Sequence, residues 1–364
     1  MKHRIFSLPG AMQEIYYAAS AVPGKDFTAE AEQLIADCCD TLGCVPPLMR
    51  FHVSDIANQY ALLRSLTEKL PALISIVGQP PADGSRIALE AWAPDQSVTW
   101  HFDEKHAIAA LRNYRLLFHK SRPVHAEDSE SQMRATWEEL EQYLASFGAT
   151  VPGELHRTWI YCRDIDNNYA GLVKARREWF ADHGLLPQTH YIASTGIGAE
   201  AEPYSLLVQT DSFALLDGAP QQIEYMQAPG YLSPTHVYGV TFERGVRILT
   251  GDRSHYFLSG TASIDRNGCI VHPGDIAGQT RRMVENVQAL LQAHDGDLED
   301  LHQATVYLRD PADCRIASEI LDELLPEATP RIILRGTVCR PGWLIEMEGV
   351  AVNAKGDSAF KVLR

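Results

Sequence analysis

The sequence predicts an α+β protein made of two β-α-β-α-β-β halves, each a mixed sheet with helices on one face. Three observations carry that prediction: an internal repeat, apolar residues at helical spacing within it, and β-rich runs that close each copy. Residues 125–164 and 272–310 match with a single-residue gap. His125 then falls on His272, Asp128 on Asp275, Gln132 on Gln279 and Glu138 on Glu285. Further along, Leu155-His156 falls on Leu301-His302, while Tyr161, Arg163 and Asp164 fall on Tyr307, Arg309 and Asp310. Agreement of this order points to duplication.

Before residue 120 the pattern is sparser. Thr28–Cys38 reads as a helix, Arg86–Trp92 and Ser97–Phe102 as strands, and Lys105–Leu117 as a helix. This region is expected to complete the sheet of the first copy. Met133, Trp137, Leu140 and Leu144 then repeat at helical spacing, and Thr158–Cys162 reads as a strand stopped by Arg163-Asp164. A second amphipathic helix carries Leu172, Ala175 and Trp179, and the β-rich runs 189–199 and 205–215 close the copy. Gly218, Pro220, Pro229, Gly230 and Pro234 mark a connector. The second copy repeats the grammar: Met283, Val287, Leu290 and Leu291, a strand over Ala304–Leu308, a helix with Ile316, Ile320 and Leu324, and runs 331–339 and 343–352. The expected domains are 1–216, a connector over 217–235, and 236–364.

Composition narrows the function classes. With 45% apolar and 22% charged residues over 364 positions, the chain reads as an ordinary globular enzyme. Its 32 basic and 47 acidic residues leave a net charge of −15, which repels phosphate backbones and argues against nucleic-acid binding. An anionic substrate would therefore need arginines gathered locally. No apolar run reaches the ~18 residues of a membrane span, and Pro9, Gln13 and Glu14 interrupt any signal-peptide core. Seven cysteines without paired zinc spacing read as reduced thiols of a cytoplasmic protein. Ser194-Thr-Gly-Ile-Gly198 lacks the third glycine of a dinucleotide fingerprint, so neither cofactor nor metal is expected.

The second copy carries Phe257-Leu-Ser-Gly260, Asp275-Ile-Ala-Gly-Gln279, Asn286, Thr305-Val-Tyr-Leu-Arg-Asp310, Thr329-Pro-Arg331 and Ile345-Glu-Met-Glu348. In order and spacing these resemble the RidA/YjgF superfamily, whose fold is chorismate mutase-like. The resemblance implies trimers with sites in the clefts between subunits. It places Ser259, Gly260, Arg331 and Glu346 in such a cleft. Over the full length the chain resembles the chorismatases, of the 3-hydroxybenzoate-forming type. The stretch from Tyr231 to Gly245, Ser259-Gly-Thr-Ala-Ser263, and Cys339 standing seven before Glu346 carry that likeness. Val237 departs from it, standing where the group has an acidic residue. The resemblance implies chorismate as substrate, pyruvate as one product, and no cofactor. Enamine/imine deamination, the broader superfamily's activity, is the alternative. The oligomer stays open between monomer and homo-oligomer, a trimer included.

Read as chemistry, the same residues have definite roles. Alternation in Trp343-Leu-Ile-Glu-Met-Glu348 puts Glu346 and Glu348 on one face, which either meets solvent or a subunit contact, or lines a cleft. A carboxyl in a closed cleft has its pKa raised and is available as a general acid. Arg331 suits a surface ion pair or a bidentate grip on a carboxylate. Chorismate has two carboxylates, so Arg157 and Arg163 are candidates for a second grip, with Arg244 and Arg335 behind them. Tyr204, Tyr238 and Tyr307 are candidate hydroxyl donors. Gly260 permits close backbone approach and Ala262 leaves room for a ring. Cys339 stands beside Arg340, a cation that would favour a polar or reactive thiol. Gln209 lies against Glu346 when the closing runs are superposed, and no arginine in 189–199 answers Arg331. The amino half has therefore lost its own site, and one site per chain is expected where the halves meet.

Overall fold

Residues 2–94 and 98–364 of the computed structural model are described, and they form three mixed sheets. The α+β class stands. The repeating unit, however, occurs a third time. Residues 3–94 form a sheet of their own, with strands His3–Phe6, Glu14–Ser20, Leu48–Val53, Leu73–Gly78 and Ile87–Pro94 and helices Phe27–Leu42 and Ile56–Thr67.

The second unit starts with Trp100–Phe102, His106–Ala110 and Arg115–Lys120, which do complete the sheet of the first legible copy. It continues through helix Ser129–Ala145, strand Leu155–Cys162, helix Ile165–Asp182, and strands Ala193–Gly198 and Val208–Leu216. The third runs from Ile223–Tyr225 and Gly245–Leu249 through Ser254–Ala262, helix Ile276–Gln292, Leu301–Leu308, helix Cys314–Leu324, Arg331–Arg335 and Ile345–Asn353. In all three the closing strand inserts between the opening hairpin and a parallel pair, giving one topology. Residues 1–216 thus hold two sheets, and the connector contributes Ile223–Tyr225 to the edge of the third.

One expected helix is a hairpin. Lys105–Leu117 folds as His106–Ala110 paired antiparallel with Arg115–Lys120. Two short apolar runs either side of a turn mimic helical spacing, and the break at Arg112-Asn113 is what separates the two readings. The strand expected over Ser97–Phe102 is observed at Trp100–Phe102, and Ser97 lies outside the described residues.

The repeated polar residues are structural. Asp128 and Asp275 cap their helices, accepting from Ser131 N (2.8 Å) and Gly278 N (3.0 Å). Four residues on, Gln132 and Gln279 clip the loop before the closing strand: Oε1 of each accepts from Leu207 N and Leu344 N (2.8 and 2.9 Å). In the first unit Asp26 caps the helix and Glu30 takes the glutamine's place, accepting from Gly24 N and pairing with Arg86.

The units close into a head-to-tail ring about a pseudo-threefold axis. Gly78 N donates to Glu200 O, Gly198 N to Thr337 O, and Arg335 N to Pro80 O, at 2.8, 2.8 and 2.7 Å. Each bond joins the end of one unit's edge strand to the segment following the next unit's. On the axis lie Glu90, Asp211 and Glu348, all buried, at equivalent points of the three closing strands. Arg50 reaches Asp211 (2.9 Å) and Glu90 (3.4 Å). Removing one partner of such a buried pair strands the other. Asp211→Ala should therefore destabilise the chain by about 3–5 kcal/mol in urea unfolding, and adding Arg50→Met should recover little of the loss, because it takes the guanidinium away from buried Glu90 as well.

Candidate active site

Where the second and third units meet, strand Ala193–Gly198 lies against strand Ser254–Ala262. The approach is close because Gly260 N donates to Thr195 Oγ1 (2.9 Å) and Ser194 N to Ser259 Oγ (2.8 Å). Beside this seam lies a cavity, with Glu346, Cys339, Ala262, Gly260, Tyr238 and Arg244 from the third unit and Tyr169, Arg176, Ser194 and Gly196 from the second.

Glu346 is 5% exposed. Burial, reinforced by the charge of Glu348, pushes its carboxyl up to about 8 against the opposing pull of Arg244 and Arg157. At neutral pH it carries its proton. Gly260 is what makes room: a Cβ there would stand 2.0 Å from Glu346 Oε1. Two residues on, Glu348 is fully engaged at the axis by Arg157, Thr195 and the Tyr307 hydroxyl, the last donating at 2.8 Å.

The cavity's cations come from places the sequence reading ranked low or missed. Arg176, on helix Ile165–Asp182, is 2% exposed, and its Nε and Nη2 have no hydrogen-bond partner among the described residues. Burial pulls its pKa down. A guanidinium held this way is open to an incoming carboxylate. It falls on the helix face of Leu172, Ala175, Trp179 and Phe180, so an arginine among apolar positions at helical spacing was the available signal. Arg244 donates through Nε and Nη2 to Ser233 O (3.2 and 2.9 Å) and lies over the Tyr238 and Phe242 rings.

Other expected residues lie elsewhere. Arg157 is occupied at Nη1 and Nη2 by Glu348, Thr195 Oγ1 (2.6 Å) and Thr158 O (3.1 Å), so it supports the neighbour of Glu346 and is not part of this cavity's wall. Arg163 binds Ala201 O (2.6 Å) and Leu206 O (3.2 Å) and stacks 3.9 Å over Tyr204, placing both in a separate groove. Ser259 donates to Glu243 O (2.6 Å), a strap and not a cavity wall. Arg331 pairs with Asp322 on the edge strand facing the first unit. Register explains the last case. Each unit's crossover strand ends three residues before the next helical turn, so His52, Tyr161 and Tyr307 correspond. Their partners on the closing strands are Ala88, Gln209 and Glu346. The unit that Arg331 faces thus has Ala88 where an acid would stand, and Ser194 answers Arg331 in the Glu346 cleft.

Residues 246–353 match the family model Endoribonuclease L-PSP. The 3-aminoacrylate deaminase RutC of Acinetobacter baylyi is 34% identical over 96 residues, which are 26% of this chain and 76% of that protein. A RutC family protein of Pyrococcus abyssi matches equally, at 34% over 96 residues and 76% of its length.

The chain belongs to the RutC family. Its third unit carries that relationship. Over the whole length, the crystal structure of a chorismatase aligns with 92% of this chain and 98% of its own, at a TM-score of 0.65 and 20% identity. That likeness is one of fold. No helix among the described residues is long and apolar enough to cross a membrane.

Cys339 gives a direct check on the cavity's electrostatics. Burial, seconded by Glu346, pushes its thiol up to about 12, so it is a neutral donor rather than the reactive thiolate that Arg340 suggested. Iodoacetamide at pH 8 should alkylate exposed Cys269 and leave Cys339 unmodified, read by peptide mass spectrometry.

Proposed function

We propose that the chain cleaves chorismate to pyruvate and 3-hydroxybenzoate in the cleft between its second and third units. The observation that carries this reading is a buried carboxyl, Glu346, protonated at neutral pH and sharing a cavity with the guanidinium of Arg176, whose Nε and Nη2 have no hydrogen-bond partner among the described residues. The pairing suits a dianion that must be protonated on carbon. Arg176 and Arg244 would hold its carboxylates, and Glu346 would deliver a proton to the enolpyruvyl methylene. The resulting oxocarbenium-like carbon weakens the ether bond to the ring, and pyruvate departs. As pyruvate leaves, the neighbouring C4 hydroxyl oxygen attacks C3 and gives up its proton, forming a 3,4-epoxide. Opening of the C4–O bond and loss of the C3 proton to the oxygen make the ring aromatic with its hydroxyl at C3, so the two products together contain the atoms of chorismate, without added water.

Enamine deamination is disfavoured by the same geometry. In the resemblance that suggests it, the arginine after proline and the strand glutamate share one cleft, whereas here Arg331 and Glu346 face different ones. Incubation of the purified chain with chorismate, followed by pyruvate assay and chromatography of the aromatic product, tests the reading. Absence of pyruvate rejects it, and ammonia release from an enamine would support the deaminase instead.

If Glu346 is the acid, turnover should be flat below pH about 8 and fall about tenfold per pH unit above it, following loss of the protonated form. Glu346→Gln should lower turnover by roughly 10²–10⁴ while chorismate binding survives, since the amide keeps the shape but cannot give the proton.

Cys339 and Ala262 select the product in this reading. Both line the cavity with Glu346, and the thiol occupies space a hydrolytic water would need. Cys339→Ala should lower 3-hydroxybenzoate and raise the dihydrodiol, or stall the reaction. An unchanged product ratio in this variant removes Cys339 from the selecting role.

A further inference from the structure

A second cavity lies on the pseudo-threefold axis and is walled by all three sheets. Its wall carries aromatic rings from every unit: Tyr16 and Trp92 from the first, Phe118, Trp159 and Phe213 from the second, and Phe257 from the third. Four of these rings touch in series across the unit boundaries. Centroids are 5.4 Å apart for Trp92 and Phe118, 4.9 Å for Phe118 and Phe213, and 4.8 Å for Phe213 and Phe257.

The wall's charged groups are occupied with one another. Glu14 accepts from Tyr16 (2.8 Å), Trp92 Nε1 (3.1 Å), Arg253 (2.7 Å) and His255 (2.9 Å). Glu90 accepts from Gln303 (3.0 Å) and Thr305 and is paired with Arg50, while Arg157 and Glu348 hold each other. No cation is left over for an anionic ligand, and no carboxylate for a cationic one. The space suits an apolar ring, which gains by burial against aromatic faces. An ionised ring would carry an unpaired charge into it.

One piece of the wall is tied to two units, its hold on the third being Leu363 N to Asp252 Oδ1 (2.9 Å) and Gly251 N to Lys361 O (2.8 Å). Leu363, 3% exposed, belongs to the segment after strand Ile345–Asn353 and lines the cavity. This segment crosses to the second unit through three bonds: Asn113 N to Arg364 O (3.0 Å), Asn113 Nδ2 to Val362 O (2.9 Å) and Tyr114 OH to Lys361 O (2.8 Å). It lies over the axis as a strap.

We propose that the axial cavity is a binding site for a small uncharged aromatic molecule, with the strap bearing Leu363 as its door. The site is separate from the Glu346 cleft and independent of the reaction assigned to it. A matched pair of probes tests it: fluorobenzene and 4-fluorobenzoate, followed by ¹⁹F NMR on the full chain. Fluorobenzene should bind saturably at one site, and Leu215→Trp, which fills the cavity from its wall, should abolish that binding. 4-Fluorobenzoate should bind the axial site about 100-fold more weakly or not at all. Any signal it gives from the Glu346 cleft should be unchanged by Leu215→Trp. Leu363→Ala, which leaves the aromatic wall intact, should speed fluorobenzene exchange. Crystals under xenon need no variant, and should show density on the axis. The proposal is overturned by fluorobenzene that does not saturate, by binding insensitive to Leu215→Trp in a folded variant, by axial binding of both probes alike, or by xenon-free crystals with ordered water on the axis.

Discussion

Three carboxylates meet where three sheets meet, and the rest of the architecture is arranged around keeping them there. Glu90, Asp211 and Glu348 stand at equivalent places on the three closing strands, all buried. A ring of identical subunits would present three identical groups on its axis. A single chain can make them different. Arg50 bridges the first two carboxylates and Arg157 takes the third, and the two guanidinium groups lie 4.4 and 4.7 Å from the Trp159 ring. Buried ion pairs contribute little net stability against an apolar alternative, yet a mispaired one is very costly. What this network supplies is register, because only one relative placement of the three units satisfies all of it.

The same network sets the chemistry one step outward. Glu348 is met by Arg157, Thr195 and the Tyr307 hydroxyl, and Glu346, two residues earlier on the strand, is pushed up by burial and by the charge of Glu348. Two carboxyls on one strand face are thereby given different surroundings, one met by donors at the axis and the other desolvated in the cleft. Arg157 belongs to this arrangement through Glu348, which is why an arginine that looked like a substrate grip in the sequence is buried at the axis. The second unit thus contributes twice to the Glu346 cleft: Arg157 steadies the carboxylate behind it, and Arg176 faces into it.

What was legible in the sequence was what the backbone requires. Asp128 and Gln132 recur as Asp275 and Gln279 because one caps a helix and the other clips a loop, and few other residues do either job. The first unit does the same with Asp26 and Glu30, and a single glutamine-to-glutamate difference over a divergent background hid it. Glu346, Gly260, Ala262, Cys339 and Tyr238 were readable as a group because they lie on or next to segments whose pattern is local. Arg176, Arg157 and Arg331 were not readable in their roles. Which cleft an arginine faces depends on the order in which the units close the ring, and no local pattern encodes that. Arg163 and Tyr204 illustrate the converse: they do come together, but to hold the loop at Ala201 and Leu206.

Closure of the ring within one chain also explains why the acid and the family's arginine parted. In a symmetric trimer every cleft takes one edge from each of two identical units, so an arginine on one edge and a glutamate on the other are present in all three clefts or in none. Here each cleft has its own pair of edges. The edge bearing Arg331 faces Ala88, and the edge bearing Ser194 faces Glu346. Freed of symmetry, the Glu346 cleft draws the guanidinium of Arg176 from a helix, Ile165–Asp182, instead of from the strand. A guanidinium reaching in from the helix enters from a different direction than one on the strand edge. The two guanidinium positions therefore differ in direction while Glu346 keeps its place on the closing strand, opposite Tyr307.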